Sequence, residues 1–377
     1  MALTISLTPS SRIFAGNPVK LSVASSSLCH YSVYVDDDLI YTGSSIGTFY
    51  VYIQDLIEDR LSAPKVYNNE TSALISVSSC YCNCTVTVTN EDGDSRSTTF
   101  IAHLGGISRA VIRSLGTGNI FTSRFLAASG NIFFTLRGGS DYITIRETEI
   151  TPLVFIYPQT GQLSVEAGGY SYTLQGTAGA MYALNLEYLR QRFFADHDII
   201  PSLFCIKKSG SVVTYIGITP ASVTRDRYYL RFLNSLGCYE IVEMTGLARR
   251  STSEDTQEQP SYDVFDELVG GYRQQRGRSA VRPMLSVSTG DISENQLLFY
   301  QDMLSSDDVT LLGYRGQEFR VIPSSPELTF AHNLKDVQSF TVDLLFSDLD
   351  DRHSSDDIDS HLGDGRIHTS EFTDQFN

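Results

Sequence analysis

Cys80, Cys82 and Cys84 fall at every second position in SSCYCNCTVTV, the densest group of soft ligands in the chain. Thiolates this close could hold zinc, form a disulfide or carry out redox exchange. On an extended backbone, however, side chains alternate between faces. One face then reads Cys80, Cys82, Cys84, Val86, Val88 and the other Tyr81, Asn83, Thr85, Thr87, Thr89. That is an apolar face backed by a mostly polar one, as a half-buried strand requires. Free cysteine packs as a small hydrophobe, and parallel thiols at i and i+2 suit disulfide geometry poorly. Structural zinc wants four ligands on tight turns, and no nearby His or paired Cys supplies the fourth. The group therefore reads as core packing. A disulfide from one of the three to Cys29, across a sandwich, is the one bond left open.

The other candidate chemistry is thinner. No Gly-x-Ser-x-Gly elbow, phosphate loop or His-Glu-x-x-His occurs. Asp and Glu are plentiful, but whether two converge across a cleft, as glycoside hydrolysis needs, is not a property of sequence. His30, His103, His197, His332, His353, His361 and His368 are scattered. His197, between Asp196 and Asp198, could ligate a metal with those neighbours, but a solvated turn explains it as well. GTGNIFTS from Gly116 lacks the Lys and spacing of a nucleotide cradle and reads as a loop. In DGRIHTSEF, aligning Gly365 with the sixth position of a calcium loop puts Asp364 fifth, Ile367 eighth and Glu371 twelfth. The first and third positions then fall on Ser360 and Leu362, so two anionic ligands are missing. No catalytic, cofactor-binding or metal residue is assigned, and no enzyme is expected. The 21 Tyr offer rings on which sugars can stack, although alternation within strands explains them by packing.

The elements that must carry these residues are mostly strands. Short alternating runs fill the first hundred residues, among them PVKLSVAS, YSVYVDDDLIYTG, TFYVYIQDL, SALISVSS and CTVTVTNEDGDSRSTTFIAH, separated by turn residues. About seven strands in about 100 residues suggests an immunoglobulin-like β-sandwich, without the antibody Cys…Trp…Cys signature, since the chain has no Trp. The expected fold is mainly β: this sandwich over 1–104, a second β module over 105–199, and a β-rich module over 200–346 with a short helix near 294–304. NIFFTLRGG, from Asn131, reads as a strand of the second module. LEYLRQRFFADHDI fits either a short helix or a strand with a ragged end. The third region opens with two hairpins, carries a polar loop in RRSTSEDTQEQPSYD, and has its best helix in SENQLLFYQDML, capped by Ser293. From Ser347 onward there are nine acidic and two basic residues, and such an acidic segment over 347–377 reads as flexible.

A formal charge of −16 argues against wrapping nucleic acid, which favours a basic face. No run of about 18 apolar residues predicts a membrane span, and no secretory leader is visible.

RDRYYLRFLNSLGCYEIVEMTG, residues 225–246, followed by the helix near 294–304, SSDDV, EFRVIPSSPEL and SFTVDLLFSD, resembles structural proteins of the tail region encoded in prophages of gut Bacteroidetes, which share an RFLN-x-x-G hairpin. FAGNPVKLSV resembles their opening β domain. The resemblance covers about two thirds of the chain and carries no active site. It implies a non-enzymatic component of a phage tail or tail tip, made in the bacterial cytoplasm and located in the virion. Its partners would be further copies of itself, other tail proteins, and a cell-surface glycan or receptor for host attachment. The alternative is a glycan-binding or adhesion β-sandwich protein.

Overall fold

A computed structural model describes residues 3–116, 118–139, 141–221, 223, 227–246, 248–254, 261–276, 281–313, 317–325 and 339–347. The calcium-loop residues of the tail, and His332, His353, His361 and His368, lie outside them. The chain forms two compact units, Met1–Pro220 with Leu233–Glu240, and Ala221–Phe232 with Ile241–Asn377.

The first unit opens with the expected sandwich. One sheet runs β1 (Thr4–Thr8), β3 (Lys20–Ala24), β6 (Phe49–Tyr52). The other runs β2 (Arg12–Phe14), β9 (Ser95–His103), β8 (Tyr81–Asn90), β4 (Leu28–Val35), β5 (Asp38–Ile46), with β2 parallel to β9. Alternation turns Leu21 and Val23 of one sheet and Val33, Cys82, Cys84, Val86 and Val88 of the other into a common core. All six cysteines are free. Cys29 pairs with Asn90 in the ladder while Cys84 pairs with Val35, so they sit in one sheet about 20 Å apart. No bond between them is within reach.

Several stretches depart from their expected structure. TFYVYIQDL is a strand only to Tyr52; α1 (Gln54–Glu58) follows, and the Gln54 side chain accepts the backbone N–H of Val19 at 3.2 Å. SALISVSS yields β7 (Leu74–Val77), which leaves the sandwich and pairs with β14 (Met181–Leu184). NIFFTLRGG makes a single bridge, Phe133 to Phe155. There Asn131 and Thr135 side chains accept the backbone N–H of Phe133 and Arg137, a local alternative to a ladder.

The rest of this unit is built on two sheets. Five strands run β10 (Tyr142–Arg146), β16 (Ser211–Thr219), β15 (Leu203–Lys208), β12 (Leu163–Ala167), β13 (Tyr170–Leu174). Thus β15 and β16, which follow residue 200 in sequence, share a sheet with β10, β12 and β13. Three strands run β11 (Leu153–Ile156), β14, β7. Every residue of β11 is buried, because Leu153 and Phe155 face one core while Val154 and Ile156 face another. Strands covered on both faces read as continuous apolar runs. LEYLRQRFFADH is helical: α3 (Leu186–His197) is capped by Asn185, whose side chain accepts the N–H of Tyr188 at 3.0 Å. α2 (Arg109–Leu115) ends at Gly116, φ 58°, the first glycine of GTGNIFTS; that stretch, expected as a loop, runs into a π-helical turn at Phe121–Phe125.

The second unit is a seven-stranded sheet in the order β18 (Tyr239–Thr245), β17 (Arg227–Leu233), β23 (Val309–Leu312), β24 (Glu318–Ser324), β25 (Thr341–Phe346), β22 (Val281–Ser288), β19 (Arg249–Glu254). The expected helix is α4 (Leu297–Ser305), preceded by a 3-10 turn at Glu294–Gln296. It packs Phe299, Tyr300 and Met303 into the core with Leu230, Phe232 and Val287. Capping runs the other way from expectation: the Gln296 side chain accepts the backbone N–H of Ser293 at 3.0 Å. The polar segment from Arg249, expected as a loop, begins as strand β19, because a sheet edge accepts polar residues on its open side. It ends in β20 (Ser261–Asp266), which pairs with β21 (Gly271–Arg276) as a separate two-stranded sheet.

Candidate binding surface

Two clusters of ionisable side chains lie inside the first unit. Arg137 donates from Nη1 to Glu149 Oε2 at 2.6 Å and from Nε to Glu240 Oε2 at 3.0 Å, and all three are buried. Thr135 donates to Glu240 at 2.9 Å, and Asn234 to its other oxygen at 2.6 Å. Two carboxylates therefore converge, but onto a guanidinium that occupies the space between them. A hydrolase needs one of its carboxyls free to give a proton and solvent access for water. This cluster instead ties the 131–137 stretch to Asn234 and Glu240 within the same unit.

The second cluster surrounds His103. Arg12 Nη1 lies 3.0 Å from His103 Nε2, and Arg12 Nη2 donates to the Gly179 carbonyl at 2.7 Å. His103 Nδ1 lies 3.2 Å from Met181 Sδ, and its ring stacks on Phe121 at 4.6 Å. Burial, and then the Arg12 charge, hold the His103 imidazole well below its ordinary range, so it is neutral. Cys80 donates to Met181 Sδ at 3.8 Å, and burial pushes its thiol up to about 12. Cys82 and Cys84 lie 3.6 Å apart, with Cys82 lowered by the Cys84 thiol hydrogen bond and Cys84 raised by the same contact. The three cysteines of the sequence motif thus split between two apolar clusters, Cys80 in one and Cys82 and Cys84 in the other. Among the described residues no group of His, Cys, Asp or Glu is arranged to hold a metal ion.

His197, the other sequence candidate, lies at the end of α3. Its ring stacks on Tyr170 at 3.7 Å and 9°. Its neighbours turn elsewhere: Asp196 accepts the Tyr172 hydroxyl at 2.6 Å, and Asp198 forms the left-handed cap, φ 56°. The Tyr172 hydrogen bond, followed by Arg192, lowers the Asp196 carboxyl. Arg192 lies 4.5 Å over the Tyr172 ring. The ADHDI stretch is a surface aromatic and charge network, not a ligand set.

The open surface with the most directed chemistry is the outer face of the β1–β3–β6 sheet. Register places Thr8, Lys20 and Tyr52 in one row and Ser6, Ser22 and Tyr50 in the next. Tyr50 is 62% exposed and Tyr52 52%; their ring centroids lie 5.9 Å apart at 76°. Lys20 Nζ sits 4.5 Å over the Tyr50 ring. Four hydroxyl and ammonium side chains therefore border two exposed rings on one sheet face. A comparable but more cluttered row, Tyr142, Tyr215, Cys205 and Glu166, crosses the five-stranded sheet, with Glu166 ion-paired to Lys207 and the Tyr142 phenol lying over Gly217. In sequence, Tyr50 and Tyr52 are visible only as two members of an alternating strand. That no described residue covers them is not written locally. Among the described residues no helix is long and apolar enough to cross a membrane.

No family model matches the sequence, and no curated protein matches it. Solved structures with a similar arrangement include one reported under host cell surface retention of a 1.5-MDa bacterial ice-binding adhesin. It is 11% identical, covering 77% of this chain and 93% of that one, with a TM-score of 0.17. The periplasmic chaperone SfaE is 9% identical, covering 58% of this chain and 100% of that one, TM-score 0.20. Extracellular domains 3–5 of Drosophila OTK are 8% identical, covering 76% and 92%, TM-score 0.20. The fold of this chain rests on its own elements: it is mainly β, with several sheets in modules, an N-terminal sandwich and few short helices.

Proposed function

We propose that the protein is a non-enzymatic adhesion-type β-sandwich protein that binds saccharide on the outer face of its β1–β3–β6 sheet. The observation that carries this reading is the pair Tyr50 and Tyr52, exposed side by side within a border of Ser6, Ser22, Thr8 and Lys20. Pyranose rings present an apolar C–H face and an equatorial rim of hydroxyls. The aromatic rings take the first, and the short hydroxyl side chains and the Lys20 ammonium meet the second. An open sheet face suits an extended or surface-bound polysaccharide better than a small free sugar, which favours a concave pocket. The test is a glycan array followed by affinity electrophoresis in polysaccharide gels, with Tyr50→Ala and Tyr52→Ala beside the unaltered chain. Retarded migration that both substitutions abolish supports the reading; no bound glycan, or equal retardation of the variants, sinks it.

A second reading, a structural component of a phage tail or tail tip, is favoured by the solvent-exposed β20–β21 hairpin, a feature suited to contact between subunits. Mass spectrometry of purified particles released after prophage induction tests it. Absence of the chain from such particles would remove this reading and leave the saccharide reading untouched.

A further inference from the structure

Apart from Val223, the three most exposed large apolar side chains among the described residues sit on one small element. Leu268 is 98% exposed, Val269 80% and Tyr272 76%, and Phe265 is also exposed. All four belong to the hairpin made by β20, β21 and the turn between them. The turn at its tip is closed by local bonds, although the ribbon as a whole has no third strand among the described residues. The Asp266 side chain accepts the Leu268 N–H at 3.0 Å, its carbonyl accepts the Gly270 N–H at 2.8 Å, and its carboxylate lies 3.5 Å from Arg273. Phe265 and Tyr272 meet edge to face at 5.2 Å. A tip already held in shape loses little conformational entropy on docking.

We propose that this hairpin is an assembly arm that docks on a second copy of the chain, adding alongside the free edge of that copy's β5. Two observations select this occupant. First, β20 and β21 pair only with each other among the described residues, and a bare two-stranded ribbon is marginal in water until a third strand or a packed face is supplied. The same chain presents an edge whose one bulge lies near its start, at Ile40, and which runs from Tyr41 to Ile46 without further protection. β5 is nine residues long, ends its sheet, holds Asp38 as its one charge, contains no Lys or Pro, and exposes Leu39 and Ile46. Second, the charges fit a copy better than a lipid surface. The hairpin carries Asp263, Asp266 and Glu267 against Arg273 and Arg276, close to neutral within a chain of formal charge −16. An acidic arm would be repelled by such a partner, whereas an anionic membrane would select a basic one. Exposed Glu267, at the tip itself, opposes entry into a bilayer. Strand addition supplies backbone hydrogen bonds, and Leu268, Val269 and Tyr272 supply apolar burial. Mutual exchange, one hairpin and one edge from each copy, closes a two-fold dimer. This inference goes beyond the saccharide reading and does not rest on it, since the Tyr50–Tyr52 face and the β5 edge are different strands.

The test is sedimentation velocity from about 1 to about 100 µM, a range that spans ordinary subunit affinities. It compares the unaltered chain, the tip variant L268S/V269S/Y272S, and the edge variant T42K/S44K. The expected result is a concentration-dependent dimer that both variants weaken by at least about tenfold in Kd. Their melting temperatures should stay unchanged, because every substituted side chain is exposed. Cross-linking of mixed isotope-labelled copies, with a photoreactive residue at 268, should join the tip of one copy to β5 of another. A chain monomeric throughout the range, a dimer that neither variant weakens, or a photoproduct with no β5 peptide would overturn the proposal. Flotation of the unaltered chain with phosphatidylcholine–phosphatidylglycerol vesicles, lost in the tip variant, would assign the tip to lipid instead and also overturn it.

Discussion

Gly105 and Gly237 meet backbone to backbone. A Cβ on Gly105 would lie 2.5 Å from the Leu236 carbonyl carbon and 2.6 Å from the Gly237 nitrogen, and one on Gly237 would lie 2.6 Å from the Leu104 carbonyl oxygen. Both residues have positive φ, 93° and 82°. The Gly106 N–H donates to the Ser235 carbonyl at 2.7 Å and fixes the approach. Gly237→Ala should therefore cost about 2–4 kcal/mol, combining φ strain with displaced backbone. Denaturant unfolding reads it directly; a loss under about 0.5 kcal/mol would mean that the contact opens freely.

Arg137 is the counter-charge of two buried carboxylates. Arg137→Met leaves Glu149 and Glu240 buried without it and should destabilise by about 3–5 kcal/mol. Replacing all three with apolar residues of matching volume should recover most of that loss, since the paired charges also had to be desolvated. Equal losses in the two variants would show that packing, not charge, holds the site.

Stability should fall in mild acid because of His103. Its folded form stays neutral well below the ordinary value of 6.5, so below that pH the unfolded chain takes up a proton that the folded chain does not. Each further pH unit then costs about 1.4 kcal/mol. The stability difference between the unaltered chain and His103→Gln should be flat above pH 6.5 and decline below it. A difference that stays flat down to pH 5 would mean that His103 charges in place.

Thiol reactivity distinguishes packing from metal or redox chemistry. Five of the six cysteines are buried and only Cys205 is partly exposed, and burial is the leading cause raising its thiol too. Native protein should react slowly with Ellman's reagent at one thiol, and at six in denaturant. Rapid reaction at Cys82 or Cys84 would return the motif to the list of reactive groups.

Loss of Tyr50 or Tyr52 should weaken polysaccharide binding by at least about tenfold, the scale of one removed aromatic contact. Unfolding midpoints should not move, because both rings are largely in water. A large drop in midpoint would assign them to packing.

The residue types settled the local story. Alternation from Tyr81 to Asn90 is enough to make a strand with Cys82 and Cys84 inward, because the side-chain period of an extended chain is two and needs no partner to be read. The RFLN-x-x-G hairpin was likewise visible, and Asn234 and Gly237 are now explained. The Asn234 side chain accepts the N–H groups of Leu236 and Cys238, and Gly237 supplies the positive φ. Partnership across the chain was not legible. Nothing near Leu74 indicates that β7 joins β14, and nothing near Arg137 names Glu149 and Glu240 as its partners. Nor do Tyr50 and Tyr52 differ from any other alternating pair until the outer face of their sheet is seen to be uncovered among the described residues. Strand patterns record which side is apolar, and that comes from each residue alone. Which surface then covers it, or leaves it open to water, depends on contacts between segments a hundred residues apart, and only the folded chain decides those.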